Sequence, residues 1–88
     1  MQTLDQLKPG QSGMIEQVGG QGALRRRLLE MGLTPGTLVR ILKMAPSGDP
    51  LEIAVRGYHL TLRREDASEI EIRESGKGRT YRFRGGNA

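Results

Sequence analysis

Residues 24 to 37 read Leu24-Arg25-Arg26-Arg27-Leu28-Leu29-Glu30-Met31-Gly32-Leu33-Thr34-Pro35-Gly36-Thr37. Leu24, Leu28 and Met31 stand at i, i+4 and i+7, which lines one face of a helix, while Arg26 and Glu30 fall on the other side. The spacing predicts a short amphipathic helix over residues 21–31. Its stop signal lies in the next two residues. Gly32 can take the left-handed conformation after the last helical turn, and Leu33 can then pack back on Leu28, as a Schellman ending prefers. Thr34-Pro35-Gly36-Thr37 follows at once, with Pro second and Gly third, the chemistry of a type II turn. The chain is expected to stop the helix and reverse within six residues.

Downstream of that reversal the period changes from helical to alternating. Leu38 to Met44 reads as a strand apolar on parts of both faces, and Pro46-Ser47-Gly48-Asp49-Pro50 as the loop of a hairpin. Leu51, Ile53 and Val55 alternate with Glu52, Ala54 and Arg56; Tyr58, Leu60 and Leu62 alternate with His59, Thr61 and Arg63; Ile70 and Ile72 alternate with Glu69, Glu71 and Arg73. Such alternation puts one set of side chains on a common buried face. Gly57 suits a tight turn or bulge, and Arg64-Glu65-Asp66-Ala67 one helical turn. Upstream, Thr3 to Leu7 reads as a single turn ended by Lys8-Pro9-Gly10, Gly13 to Val18 as a strand, and Gly19-Gly20 as a loop. The sum is a mainly β domain of about five strands with one inserted α-helix. Closing such a sheet hides its edges, so a small, strongly bent barrel is expected. Its expected core is Leu28, Val39, Ile41, Ile53, Val55, Leu60, Leu62, Ile70 and Ile72.

Composition sets limits on what this barrel does. Eighty-eight residues support one core and no more. With 35% hydrophobic residues and only two Tyr and one Phe, that core must be aliphatic. The absence of Cys excludes disulfides, thiolate metal sites and cysteine nucleophiles together, and makes the cytoplasm the natural compartment. The first residues lack the basic and apolar regions of a signal peptide, and no stretch approaches the roughly 20 apolar residues of a membrane span. The net charge is +4, but residues 1–72 carry nine basic and nine acidic groups, so the excess lies at the end of the chain. A barrel domain over residues 1–74 and a flexible, basic, Gly/Arg-rich tail over 75–88 are therefore expected.

The order of these elements and the words in them resemble the FeoA domain family. The resemblance rests on Arg27-Leu28-Leu29-Glu30-Met31-Gly32-Leu33-Thr34-Pro35-Gly36, on Val39 to Met44, on Ala45-Pro46-Ser47-Gly48-Asp49-Pro50, on Ile53 to Gly57, and on Leu60-Thr61-Leu62-Arg63 with Ala67, Ile70 and Ile72. It covers roughly residues 3 to 73. It implies a Src-homology-3-like barrel with a helix inserted after the first strand. It further implies a non-enzymatic, cytoplasmic accessory of ferrous iron uptake whose partner is FeoB, a polytopic membrane transporter with a GTP-binding domain. A monomer without a cofactor is the expectation.

His59 is the single histidine, and with Glu52, Glu69 and Glu71 it forms a conceivable carboxylate and imidazole set. One His without Cys lacks the dense ligand cluster of a dedicated transition-metal site, and a solvated strand face accounts for all four residues, so no metal site is expected. The hydroxyls of Ser12, Ser47, Ser68 and Ser75 lack any signature tying them to a base, and Gly19-Gly20-Gln21-Gly22 lacks the Lys-Ser/Thr ending of a phosphate loop. Catalysis is not expected. A small basic barrel that binds nucleic acid is the alternative function, disfavoured because the basic excess lies outside the barrel. Arg25-Arg26-Arg27 spreads over about 200° of an ideal helix and makes no single patch. Leu29 lies at the margin of the buried stripe. The expected partner-binding surface is therefore the helix end and its turn: Arg25, Leu29, Gly32, Leu33, Pro35 and Gly36.

Overall fold

The computed structural model describes residues 2–74. The expected boundary after residue 74 and the expected basic tail lie outside the described residues. Six antiparallel strands form one sheet: β1 (Gln2–Thr3), β2 (Ser12–Val18), β3 (Leu38–Met44), β4 (Leu51–Val55), β5 (Tyr58–Leu62) and β6 (Ile70–Glu74). Helix α1 (Gly22–Glu30) lies between β2 and β3, and α2 (Arg64–Ala67) between β5 and β6. The fold is the mainly β arrangement that the alternation predicts, with the inserted helix of the Src-homology-3-like form that the resemblance implies. A sixth strand is added, because the first two residues of the described chain pair with Glu71 and Ile72 before the 3₁₀ turn Leu4–Gln6 begins.

The strand order is β1-β6-β2-β3-β4-β5, so the hydrogen-bonded ladder has two edges and is not a closed ring. The short helical turns that follow the two edge strands, Leu4–Gln6 after β1 and α2 after β5, pack on each other. Asp5 and Arg64 face one another across that seam at 3.9 Å. The expected ring of strands is therefore left open, and the gap between its edges is bridged by these helical turns, which a pattern of strand alternation does not encode.

Inside the bent sheet lies a core without aromatics. Leu28, Val39, Ile41, Ile53, Val55, Leu62, Ile70 and Ile72 are buried as expected, joined by Leu4, Leu7, Ile15, Val18, Leu33, Leu51 and Ala67. Leu60 is a correction: it is half-buried, and Tyr58 on the same strand face is 42% exposed. Strand β5 is the sheet edge, so its inward side chains are covered from one side only. β3 is apolar on both faces because its ladder with β4 slips between Ile41 and Lys43. The extra residue of that bulge, Leu42, escapes the strict alternation and remains half-buried.

One charged group sits in this apolar interior. Asp66 of α2 is 5% exposed and lies 3.5 Å from the Arg27 guanidinium of α1 and 3.4 Å from that of Arg63. Its carboxylate ties the inserted helix to the chain between β5 and β6. Because both arginines are largely solvated, their attraction is screened and removing the carboxylate leaves no buried cation behind. Asp66→Ala is therefore expected to destabilise the fold by about 1 to 2 kcal/mol in urea titration.

Candidate functional site

The end of α1 is built as the sequence predicts. Leu33 N–H donates to the Leu28 carbonyl at 3.2 Å and Gly32 N–H to the Leu29 carbonyl at 3.0 Å, the paired bonds of a Schellman motif. Gly32 has φ +95°, which an L side chain rarely adopts. Thr37 N–H then donates to the Thr34 carbonyl at 3.1 Å, closing the Thr34–Thr37 turn with Gly36 at φ +89°. This is the type II turn. Two further bonds seat the turn on the sheet: Gly36 N–H donates to the Ile15 carbonyl at 2.7 Å, and Ile15 N–H to the Thr37 carbonyl at 2.9 Å.

A second element, which the sequence reading missed, locks this corner from above. The β4–β5 hairpin turns on Arg56 and Gly57, both at positive φ (+49° and +83°). Two positive-φ residues between paired strand ends are the geometry of a type I′ turn, whose twist matches that of the strands. The Arg56 side chain reaches back across the helix end. Its Nε donates to the Gly32 carbonyl at 3.3 Å, and its Nη2 to the Thr34 and Thr37 hydroxyls at 2.9 Å each. Those hydroxyls lie 2.9 Å apart and share a hydrogen bond. Tyr58, the next strand residue, donates its hydroxyl to the Met31 carbonyl. Arg56 and Tyr58 thereby satisfy carbonyls that a helix end leaves unpaired. The available signal was an Arg before the hairpin glycine, where Asn or Asp is the usual choice.

The structure brings the expected partner-binding residues together, in two roles. Arg25 is exposed on α1, and its Nε donates to the Val18 carbonyl at 3.1 Å, which anchors the helix to the end of β2. Leu29 is half-buried against the core, and Pro35 and Gly36 are exposed at the turn. Leu33 is fully buried, so it fixes the corner from beneath and presents no surface of its own. Gly32 is half-buried under Tyr58.

His59, Glu52, Glu69 and Glu71 do not converge on one site. His59 is exposed on β5 opposite Ala54, and Glu52 faces Lys43 at 4.0 Å. Among the described residues no three His, Cys, Asp or Glu side chains gather where they could hold a metal ion. Ser47 and Ser68 donate their hydroxyls to backbone carbonyls of their own turns, Asp49 at 3.1 Å and Glu65 at 2.6 Å. No described helix is long and apolar enough to cross a membrane.

Comparison with known proteins agrees with this geometry. The FeoA domain model matches residues 2–74. A relative from Porphyromonas gingivalis (strain ATCC BAA-308 / W83), the Fe(2+) transport protein A/Fe(2+) transporter FeoB fusion protein, is 39% identical over 69 residues. That match takes in 78% of this chain and only 8% of the fusion protein. Among solved structures, the FeoA protein of Chlorobium tepidum superposes with a TM-score of 0.78 at 33% identity, covering 97% of this chain and 83% of that one. The zinc-complexed FeoA of Stenotrophomonas maltophilia, described as a prokaryotic SH3 domain protein, superposes with a TM-score of 0.74 at 30% identity, covering 83% and 91%. The chain belongs to the FeoA domain family.

Proposed function

We propose that this chain is a non-catalytic accessory of ferrous iron transport that acts in the cytoplasm by contacting a FeoB-type membrane transporter. The observation that carries the reading is the Porphyromonas relative, in which a matching domain and a transporter named FeoB share one polypeptide. Joining two modules in one chain raises the effective concentration of each at the other, so such a fusion favours partners that also meet when separate. The surface best suited to the contact is the corner made by α1 and its turn. Half-buried Leu29 offers aliphatic area, exposed Arg25 offers charge at the rim, and Pro35-Gly36 sits on a backbone fixed at both ends.

Two features support this reading over its alternatives. Arg27, Lys43, Arg63, Arg64 and Arg73 are each engaged by a carboxylate, so much of the described basic charge is already neutralised, which disfavours a nucleic-acid groove. The described serines are held in local turns or stand apart from His59, which gives no nucleophile its base. The test is a pull-down with full-length transporter and, separately, its isolated GTP-binding domain. Capture of either by the chain supports the reading, and capture of neither at micromolar concentrations would remove it.

A related expectation concerns iron itself. Without converging ligands in the described domain, the isolated chain should show no stoichiometric, sub-micromolar binding of ferrous ion in anaerobic calorimetry. Tight binding abolished by His59→Ala would reverse that view. Iron enters this function as the transporter's cargo.

A further inference from the structure

The outer face of the sheet holds an apolar residue where the strand pattern calls for a polar one. Leu38 opens β3 and is 52% exposed, more than any other large hydrophobic residue described. Its neighbour Val39 pairs with Val55 and is buried, so Leu38 and Arg40 share the opposite, outward side. Met14 of β2 stands across from Leu38, and the row through Arg40 runs Ser12, Arg40, Ala54, His59 over four strands. Small residues in that row leave relief around the larger ones. Leu38 forms a ridge between two shallow hollows. One, of about 260 Å³, is floored by Ser12, Ala54 and Gly57; the other, of about 380 Å³, lies against Gly36, Thr37 and Arg56.

The charge of this patch has one sign. Arg40 is exposed and has no hydrogen-bond or ion-pair partner among the described residues. Carboxylates on the flanking strands are engaged elsewhere: Glu16 of β2 by Arg73 at 2.7 Å, and Glu52 of β4 by Lys43 at 4.0 Å. None of the outward residues Ser12, Met14, Leu38, Arg40, Ala54 and His59 is acidic. An exposed aliphatic ridge beside an unneutralised guanidinium matches a protein segment with apolar side chains and a carboxylate, since Arg pairs bidentately with that group. A nucleic-acid backbone would call for several free cations in a row, whereas among the described residues of this patch only Arg40 is free to reach a ligand: Arg56, which lines both hollows, directs its N–H donors to the Gly32 carbonyl and the Thr34 and Thr37 hydroxyls.

We propose that the outward face of β3, centred on Leu38 and Arg40, is a second docking surface for the protein partner. It takes an acidic, partly apolar segment whose side chains fill the hollows beside Leu38 and whose carboxylate meets Arg40. This rests on the reading that the partner is a transporter of the FeoB type, and it places part of the contact on the sheet, beyond the helix corner. The turn residue Gly36 borders both surfaces, so one partner segment can run from the corner onto the sheet.

The test uses the full chain and full-length transporter immobilised in detergent micelles, with wild type, Leu38→Ser, Arg40→Glu, Arg40→Lys and Arg25→Glu compared. Leu38→Ser and Arg40→Glu are each expected to weaken binding about tenfold or more, as truncation of an interface anchor does, while Arg40→Lys stays closer to wild type. Both residues are exposed, so melting temperatures should stay near wild type, and Arg40→Glu keeps the test valid if Leu38→Ser folds poorly. If wild type binds and only Arg25→Glu weakens it, the sheet surface is wrong while the transporter reading stands. If wild type binds no transporter, the transporter reading falls and this surface falls with it. If Arg40→Glu instead abolishes binding to phosphatidylglycerol vesicles and leaves transporter binding intact, the patch is a lipid contact and the proposal is overturned.

Discussion

Replacing Ile53 with alanine is expected to destabilise the domain by about 2 to 5 kcal/mol, the range for removing a large aliphatic side chain from a site that cannot collapse. Ile53 is fully buried at the centre of β4, with Ile41 of β3 on one side and Leu60 of β5 on the other. Backbone pairing on both sides holds those strands at fixed spacing, so the walls cannot move in to fill the space. With no aromatic ring in the core to swing into the gap, the cavity persists. Urea denaturation monitored by circular dichroism checks the result. A loss below about half a kcal/mol, typical of surface positions, would mean that Ile53 is not in the core. The same substitution at Leu60 should cost clearly less, because the edge strand leaves that side chain half-buried.

The contrast between Ile53 and Leu60 shows what the chain's pattern can specify. Strict alternation in Leu51-Glu52-Ile53-Ala54-Val55 identifies a strand with one buried face, and the structure buries all three apolar members. Tyr58-His59-Leu60-Thr61-Leu62 has the same pattern, yet only Leu62 is fully buried. Alternation reports which side of a strand faces inward. It does not report whether another strand lies beyond, and β5 has none. The helix end was legible for a different reason: Gly32, Leu33, Pro35 and Gly36 act through local backbone geometry, which neighbouring residues dictate. Arg56 and Tyr58 act across 22 to 27 residues of sequence, on Thr34 and Met31, and no local rule connects them. Asp66 likewise meets Arg27 at a separation of 39 residues. The sequence places Leu38 only in a strand apolar on both faces, and its exposure follows from its neighbours Val39 and Ile41, which pair with Val55 and Ile53 before the ladder slips after Ile41.

Gly32→Ala should be the most damaging single-methyl change in the candidate site, and it can be divided into two causes. The first is the backbone: φ of +95° disfavours any L residue, by about 1 to 2 kcal/mol for a left-handed conformation. The second is a collision, because a Cβ at Gly32 would lie 2.7 Å from the Tyr58 hydroxyl, too close for either atom to stay. That hydroxyl donates to the Met31 carbonyl at the helix end, so displacing it also forfeits a hydrogen bond worth about 1 kcal/mol. Arg56, which donates to the Gly32 carbonyl, must follow if the corner opens, and its grip on Thr34 and Thr37 loosens with it. The expected total is about 2 to 3 kcal/mol, together with a marked loss of ferrous uptake in cells if the corner is the transporter contact. Tyr58→Phe separates the causes. Alone it should cost about 1 kcal/mol for the lost hydrogen bond. Combined with Gly32→Ala it should cost less than the sum of the two, because removing the hydroxyl vacates the space the new methyl needs. Strict additivity in that double-mutant cycle would mean that the tyrosine does not cap the helix in solution. Wild-type uptake by a Gly32→Ala protein shown to be destabilised but folded would mean that the corner serves stability alone.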